Sequence, residues 1–148
     1  IGRGDEINSI NEPIHLWILL VCPNLSIGSK TRTLYSRVRP NLFTSGQITR
    51  DLSLLVSDPM RLTEGLYNAF EPLAFDVFDG LNQVVSDMRK AGIKTPHLSG
   101  TGPCLYGFVD DQQFGIRIRK QLVELGYVVH LIRTTQSSSL LTLGQSNN

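Results

Sequence analysis

The stretch PHLSGTGPCLYG (Pro96–Gly107) carries more information about the fold than any other part of the chain. Ser99-Gly-Thr-Gly-Pro103 sets Gly100 and Gly102 on either side of one threonine, between two short apolar runs, His97–Ser99 and Leu105–Val109. Apolar runs of this length joined by glycines predict two strands linked by a tight connection. Closely spaced glycines permit positive φ and let backbone N–H groups approach a ligand with no Cβ in the way. Spacing alone leaves two readings open. The glycines serve a plain turn, or they form a backbone cradle for phosphate; a short glycine pair without the lysine of a P-loop does not decide between them.

Helices flank this hairpin on both sides. After Pro72, the residues Ala74, Val77, Phe78, Leu81, Val84, Val85 and Met88 recur at spacings of three and four and predict one long amphipathic helix. Arg89 and Lys90 fall in its last turn and Gly92 follows, as the helix dipole and a left-handed cap require. Asn68 and Glu71 precede that helix and suit capping or first-turn electrostatics. Downstream, Phe114, Ile118, Leu122 and Leu125 predict a second helix, opened by Asp110 or Asp111 and closed by Gly126.

Two further strands complete the pattern. HLWILLVCP (His15–Pro23) is a continuous apolar run ended by proline, which predicts a central strand buried on both faces. Tyr127–Ile132 is rich in β-branched residues and predicts the last strand. Between them, 24–46 is loop-rich, and KTRTLYSRV (Lys30–Val38) forms a short helix before Pro40. The expected class is α+β: a ferredoxin-like, mostly antiparallel sheet with helices packed on one face.

Composition narrows the function classes. The chain has 148 residues, 41% hydrophobic and 18% charged, enough for one domain with a real core. Its net charge of +1 arises from 14 basic and 13 acidic residues that are interspersed, so neither nucleic acid nor an anionic membrane is an expected partner. The longest strongly apolar run, Leu16–Cys22, is too short to span a bilayer. Cys22 and Cys104 each sit in an apolar run without Cys-x-x-Cys spacing, and read as two reduced, buried thiols in a cytoplasmic protein rather than as a disulfide. His15, His97 and His130 do not stand at metal-ligand spacing, and no metal site is expected.

The hairpin resembles the third motif of the GHMP kinases, the superfamily of galactokinase, homoserine kinase, mevalonate kinase and phosphomevalonate kinase. That motif has the form S/T-G-S/T-G-x-x-V/L-F/Y-G/A, and LSGTGPCLYGF fits it without a gap. GRGDEI (Gly2–Ile7), LVCPNLSIGSKTRTLYSRV (Leu20–Val38) and LYNAFEPLAFDVFDGL (Leu66–Leu81) are similar to segments of one member of the family, in the same order. That member acts in isoprenoid biosynthesis on an alcohol that carries a cytidine diphosphate group. The chain departs from the pattern at His97, where arginine is common, and at Gly28-Ser29, where Ser-Thr is more usual.

The resemblance implies a division of the chain into 1–12, the remnant of an amino-terminal ATP-binding domain, and 13–134, the carboxyl-terminal domain; 135–148, mostly polar and without charge, reads from its composition as a frayed tail. The resemblance also implies a kinase that uses ATP with Mg2+, held mainly by the amino-terminal half, and a small-molecule substrate. Neither the family's P-x-G-x-G-L-G-G-S-S phosphate loop nor its G-A-D-V-P-like catalytic segment occurs here, and the chain opens on Ile1. It is therefore expected to be an inactive fragment with no catalytic residue of its own. Ser99, Gly100, Thr101 and Gly102 would lie near the phosphates, and Thr33 and Tyr35 would face the substrate. Tyr35 is the aromatic of its loop and would stack on cytosine; a core residue on a helix face is the competing role. A non-catalytic ligand-binding or regulatory domain, or a homoserine or mevalonate kinase, would share much of this pattern.

Overall fold

A computed structural model describes residues 15–135; the remnant and tail expected at the two ends lie almost wholly outside that range. Four strands form one sheet in the order β2-β3-β1-β4: β1 (Trp17–Cys22), β2 (His97–Leu98), β3 (Leu105–Val109) and β4 (Val128–Arg133). All neighbours are antiparallel. β1 and β2 flank β3, and β3 and β4 flank β1, which is the split arrangement of a ferredoxin-like sheet. The sheet and the expected class agree.

Helix α1 (Lys30–Arg37) follows β1, then α2 (Gln47–Ser53), α3 (Pro59–Glu64), α4 (Glu71–Val77) and α5 (Leu81–Ala91); α6 (Gln112–Glu124) joins β3 to β4. Helix α6 packs on β1, β3 and β4 and against α5. Their shared core holds Leu19, Val21, Leu98, Leu105, Leu81, Met88, Ile118 and Leu122, each almost fully buried. Because helices α5 and α6 cover one face, β1 is not buried on both sides as its apolar run predicts. Leu19 and Val21 are sealed, whereas Ile18, Leu20 and Cys22 are partly exposed on the other face. Part of that second face is covered at the β2 end, where the ring Nε2 of buried His97 donates to the Thr63 carbonyl of α3 at 3.0 Å. The same ring lies against Tyr106 and Phe108. The sequence departure at residue 97 thus serves packing between sheet and helix.

The single helix expected after Pro72 is two. Phe78 leaves helical geometry with φ −100° and ψ 99°, and Gly80 opens α5 at φ +90°. Asp79-Gly80 is a turn dipeptide inside an otherwise periodic run. Ala74, Phe78, Leu81, Val84, Val85 and Met88 are nonetheless all buried, so the three-and-four spacing reported a common core across the bend. The ends of α5 and α6 follow expectation: Gly92 has φ +115°, Gly126 has φ +91°, and the Asp111 side chain accepts from the Phe114 N–H at 2.8 Å. Leu125, counted into the α6 stripe, is the C-cap and is exposed.

Tyr127 fastens the start of β4 to α5, its hydroxyl donating to Asp87 Oδ2 at 2.8 Å. Burial, then that hydrogen bond and the Asp87 charge, push the phenol up to about 12 from its ordinary 10.0. A proton held more tightly in the folded chain than in the unfolded one stabilises the fold below pH 10.0 and is lost as pH rises towards about 12. Melting temperature is therefore expected to fall more steeply across that window than in Tyr127→Phe, which has no phenol to ionise. Parallel curves for the two proteins would contradict the coupling.

Candidate functional site

The connection between β2 and β3 is a compact turn. Ser99 N–H donates to the Cys104 carbonyl at 2.9 Å, and Gly102 N–H donates to the Ser99 carbonyl at 2.9 Å. Gly100 and Gly102 both have positive φ, +57° and +70°. At Gly100 a Cβ would meet nothing within 4 Å, whereas at Gly102 it would stand 2.8 Å from Leu98 Cδ1. The crest is exposed and the base is buried. Among the described residues, the amides of Gly100 and Thr101 donate to no backbone carbonyl. The plain-turn reading therefore describes the connection, and at its crest two backbone amides are left without a backbone acceptor among the described residues.

Two long-range contacts hold it. Lys30, at the start of α1, donates from Nζ to the Gly102 carbonyl at 2.6 Å. Ser29, which precedes it, has left-handed geometry at φ +51° and makes no side-chain cap. No carboxylate pairs with Lys30 among the described residues, so the hairpin carries an unneutralised ammonium at its base. The second contact is Asn68. Its amide nitrogen donates to the carbonyls of Leu98 (2.9 Å) and Gly100 (2.8 Å), and its Oδ1 accepts from Phe70 N–H at 2.9 Å. The expected capping role is corrected: the N-cap of α4 is Phe70, and Asn68 is a strut between the approach to α4 and the hairpin. Glu71 does lie in the first turn of α4. Burial first, and the Glu71 charge second, raise the Tyr106 phenol above its ordinary value.

Tyr35 and Thr33 sit on the same helix as Lys30. Leu34 is the residue that α1 buries; Tyr35 is 61% exposed, so it is no core residue. Its ring meets Phe70 edge-on with centroids 4.8 Å apart, which brings it to the corner where α1 and the Asn68 strut converge. Thr33 is half-buried; its N–H donates to the Ser29 carbonyl at 3.0 Å, and its own carbonyl accepts from Ser36 Oγ. Lys30 and the reach of Asn68 were missed in the sequence. Each bond joins residues far apart along the chain, 72 positions for Lys30 and 30 for Asn68 to Leu98, and leaves no local pattern.

Just past the turn, Cys104 Sγ lies 2.8 Å from Cys22 Sγ. Burial is the chief reason that the Cys104 thiol is pushed up to about 11; the hydrogen bond to Cys22 and the charge there add to it, and the Lys30 ammonium opposes it.

The site as a whole offers an ammonium, two amides without a backbone acceptor among the described residues, and an exposed aromatic ring. That donor set suits phosphate oxygens beside an aromatic base. Among the described residues, no three or more His, Cys, Asp or Glu gather in one group. No helix among them is long and apolar enough to cross a membrane.

Residues 52–128 match the family model described as GHMP kinases C terminal. The chain belongs to the GHMP kinase family. Among curated GHMP kinases it is similar to the 4-diphosphocytidyl-2-C-methyl-D-erythritol kinase of Dehalococcoides mccartyi, 30% identical over 134 residues that cover 90% of this chain and 47% of the relative. The enzyme of the same name from Bacillus cereus is 27% identical over 135 residues, covering 88% and 46%. The chain spans about half the length of the curated relatives it matches. Among solved GHMP kinases, a 4-(cytidine 5'-diphospho)-2C-methyl-D-erythritol kinase superposes with TM-score 0.67 at 20% identity, over 82% of this chain and 43% of that one. Mevalonate kinase of L. major, in complex with R-mevalonate, gives TM-score 0.66 at 17% identity, over 88% and 45%. The two solved structures share the GHMP kinase fold with this chain.

Proposed function

We propose that the chain is the substrate-side half of an ATP-dependent kinase that phosphorylates 4-diphosphocytidyl-2-C-methyl-D-erythritol on a hydroxyl. The observation that carries this reading is that the Lys30 ammonium, 2.6 Å from the Gly102 carbonyl, ties the helix bearing the exposed Tyr35 ring to a hairpin whose crest amides have no backbone acceptor among the described residues. Names of the curated relatives supply the substrate.

In this reading the amides of Gly100 and Thr101, with Lys30, hold phosphate oxygens by charge-assisted hydrogen bonds. Tyr35 offers one face to cytosine while Phe70 supports its edge. Holding both ends of a long substrate restricts its approach to the nucleotide, and such orientation is a large part of phosphoryl-transfer catalysis. ATP with magnesium supplies the phosphoryl group and belongs to the other half of the kinase. Nothing in 15–135 is assigned as general base.

The test is ADP release by the full-length kinase with the cytidylyl substrate, mevalonate and homoserine in parallel. Turnover is expected with the first alone, and none from the 148-residue chain by itself. Tyr35→Ala in the full-length enzyme is expected to raise KM about tenfold, within the range for one stacked base, with melting temperature unchanged. A lowered melting temperature at unaltered KM would remove Tyr35 from the substrate site. Lys30→Met is expected to lower kcat/KM by about 10- to 100-fold, since a bond to a charged group contributes about 1.5–3 kcal/mol, while Lys30→Arg retains part of the activity.

A second reading, a small-molecule binding module, is favoured by a cavity of about 380 Å³ at the opposite end of the sheet. Trp17, Met60, Thr63, Phe108 and Phe114 line it. Ligand binding that is abolished by Phe108→Ala and indifferent to Tyr35→Ala would select that reading.

A further inference from the structure

Cys22 ends β1 and Cys104 immediately precedes β3, and the β1–β3 register, Val21 opposite Leu105, continues by one step to set them face to face. The ladder also fixes the kind of pairing. Thr134 N–H donates to the Leu16 carbonyl, so alternate residues of β1 from Leu16 onward, Cys22 among them, turn their backbone groups towards β4 and away from β3. The Cys104 carbonyl is correspondingly taken by Ser99 on the β2 side. Cys22 and Cys104 are therefore a non-hydrogen-bonded antiparallel pair, the class in which opposing Cα atoms come to about 4.5 Å and side chains are closest. A disulfide needs Cα atoms about 4.4–6.8 Å apart, so the backbone already meets its requirement. The sulfurs, on the same sheet face and both partly accessible, are 2.8 Å apart.

We propose that Cys22 and Cys104 form a reversible disulfide, a modification site that staples the foot of the glycine hairpin to the central strand. The oxidant class is a low-molecular-weight disulfide such as oxidised glutathione. In the reduced pair Cys104 S–H donates to Cys22 Sγ, and we assign Cys22, the acceptor of that bond, as the attacking sulfur. Its thiolate displaces one glutathione thiolate and forms a mixed disulfide, which removes negative charge from beside Cys104. Cys104 then gives up its proton to solvent and its sulfur attacks the Cys22 sulfur, expelling the second glutathione thiolate. Two thiols are oxidised, one glutathione disulfide is reduced, and the two protons end on the two glutathione thiols. The site does not depend on the proposed substrate.

The test incubates the whole chain with oxidised glutathione, alkylates the remaining thiols and reads the intact mass. The expected product is a monomer that has lost two hydrogens and takes no alkyl group, restored to two alkylated cysteines by dithiothreitol. Cys104→Ser should stop at a stable glutathione adduct on Cys22, and Cys22→Ser should react at least ~10-fold more slowly. Circular dichroism of both variants checks that each is folded. Two alkylated cysteines after oxidation, glutathione on both sulfurs, or a disulfide-linked dimer would each overturn the proposal.

Discussion

Gly102→Val is expected to destabilise the chain by about 3 kcal/mol, the sum of forcing a β-branched residue into left-handed geometry and overfilling a packed site. The site is buried at φ +70°, and the new Cβ would press on Leu98 Cδ1 at 2.8 Å with Phe78 at 3.4 Å behind it. Leu98 cannot retreat freely, because it is itself 1% exposed in the core. Gly100→Ala provides the control. Its φ is equally left-handed, but open space surrounds it, so only the backbone term of about 1 kcal/mol applies. Urea unfolding of both variants measures the difference. Equal midpoints for the two would mean that steric closure at the base of the hairpin has been misjudged.

Asn68→Leu ranks second, at about 2–3 kcal/mol. The substitution leaves the part-buried Leu98 carbonyl without its donor and Phe70 N–H without its acceptor, and the penalty for such unmet groups exceeds the net worth of the bonds; the exposed Gly100 carbonyl turns to water. Asn68→Asp separates the strut from simple helix capping. An aspartate keeps an oxygen for Phe70 N–H and would cap at least as well, but its second oxygen would face two carbonyls in place of the amide. It is expected to be no better than leucine at this position. Wild-type stability in Asn68→Asp, by denaturant or thermal melts, would return Asn68 to the role that its position ahead of a helix first suggested. In the full-length kinase the same variants should lower kcat/KM, because the hairpin crest is held by Gly100's own carbonyl.

How far the sequence reaches is seen element by element. β3 and β4 were legible as short apolar and β-branched runs, and the end of α5 and the whole of α6 through three-and-four spacing with terminal signals, the Asp111 cap and the glycines at 92 and 126. The bend at Phe78–Gly80 was hidden because residues on both sides of it face one core, and periodicity records burial rather than chain direction. α2 and α3 escaped notice for the opposite reason. They bury none of their residues fully, and α3 rests on local chemistry, the Asp58 side chain bonding Arg61 N–H with Pro59 in the first turn. Around the hairpin, the turn was legible through its resemblance to a family pattern and the exposure of Tyr35 had to await the structure, whereas the contacts of Lys30 and the span of Asn68 exist only once the chain has folded.

Arg119 has a consequence for the company that the chain keeps. Among the described residues β4 is an outer strand, and Val129 turns its backbone groups away from β1, where Arg119 Nε of α6 donates to the Val129 carbonyl at 3.0 Å. The guanidinium occupies an acceptor that a stranger's strand would otherwise seize, and it sets a positive charge beside exposed Val128 and Ile132. Arg119→Ala is therefore expected to unguard the margin of the sheet, and intermolecular zipping along β4 is the form that clumping at high concentration would take.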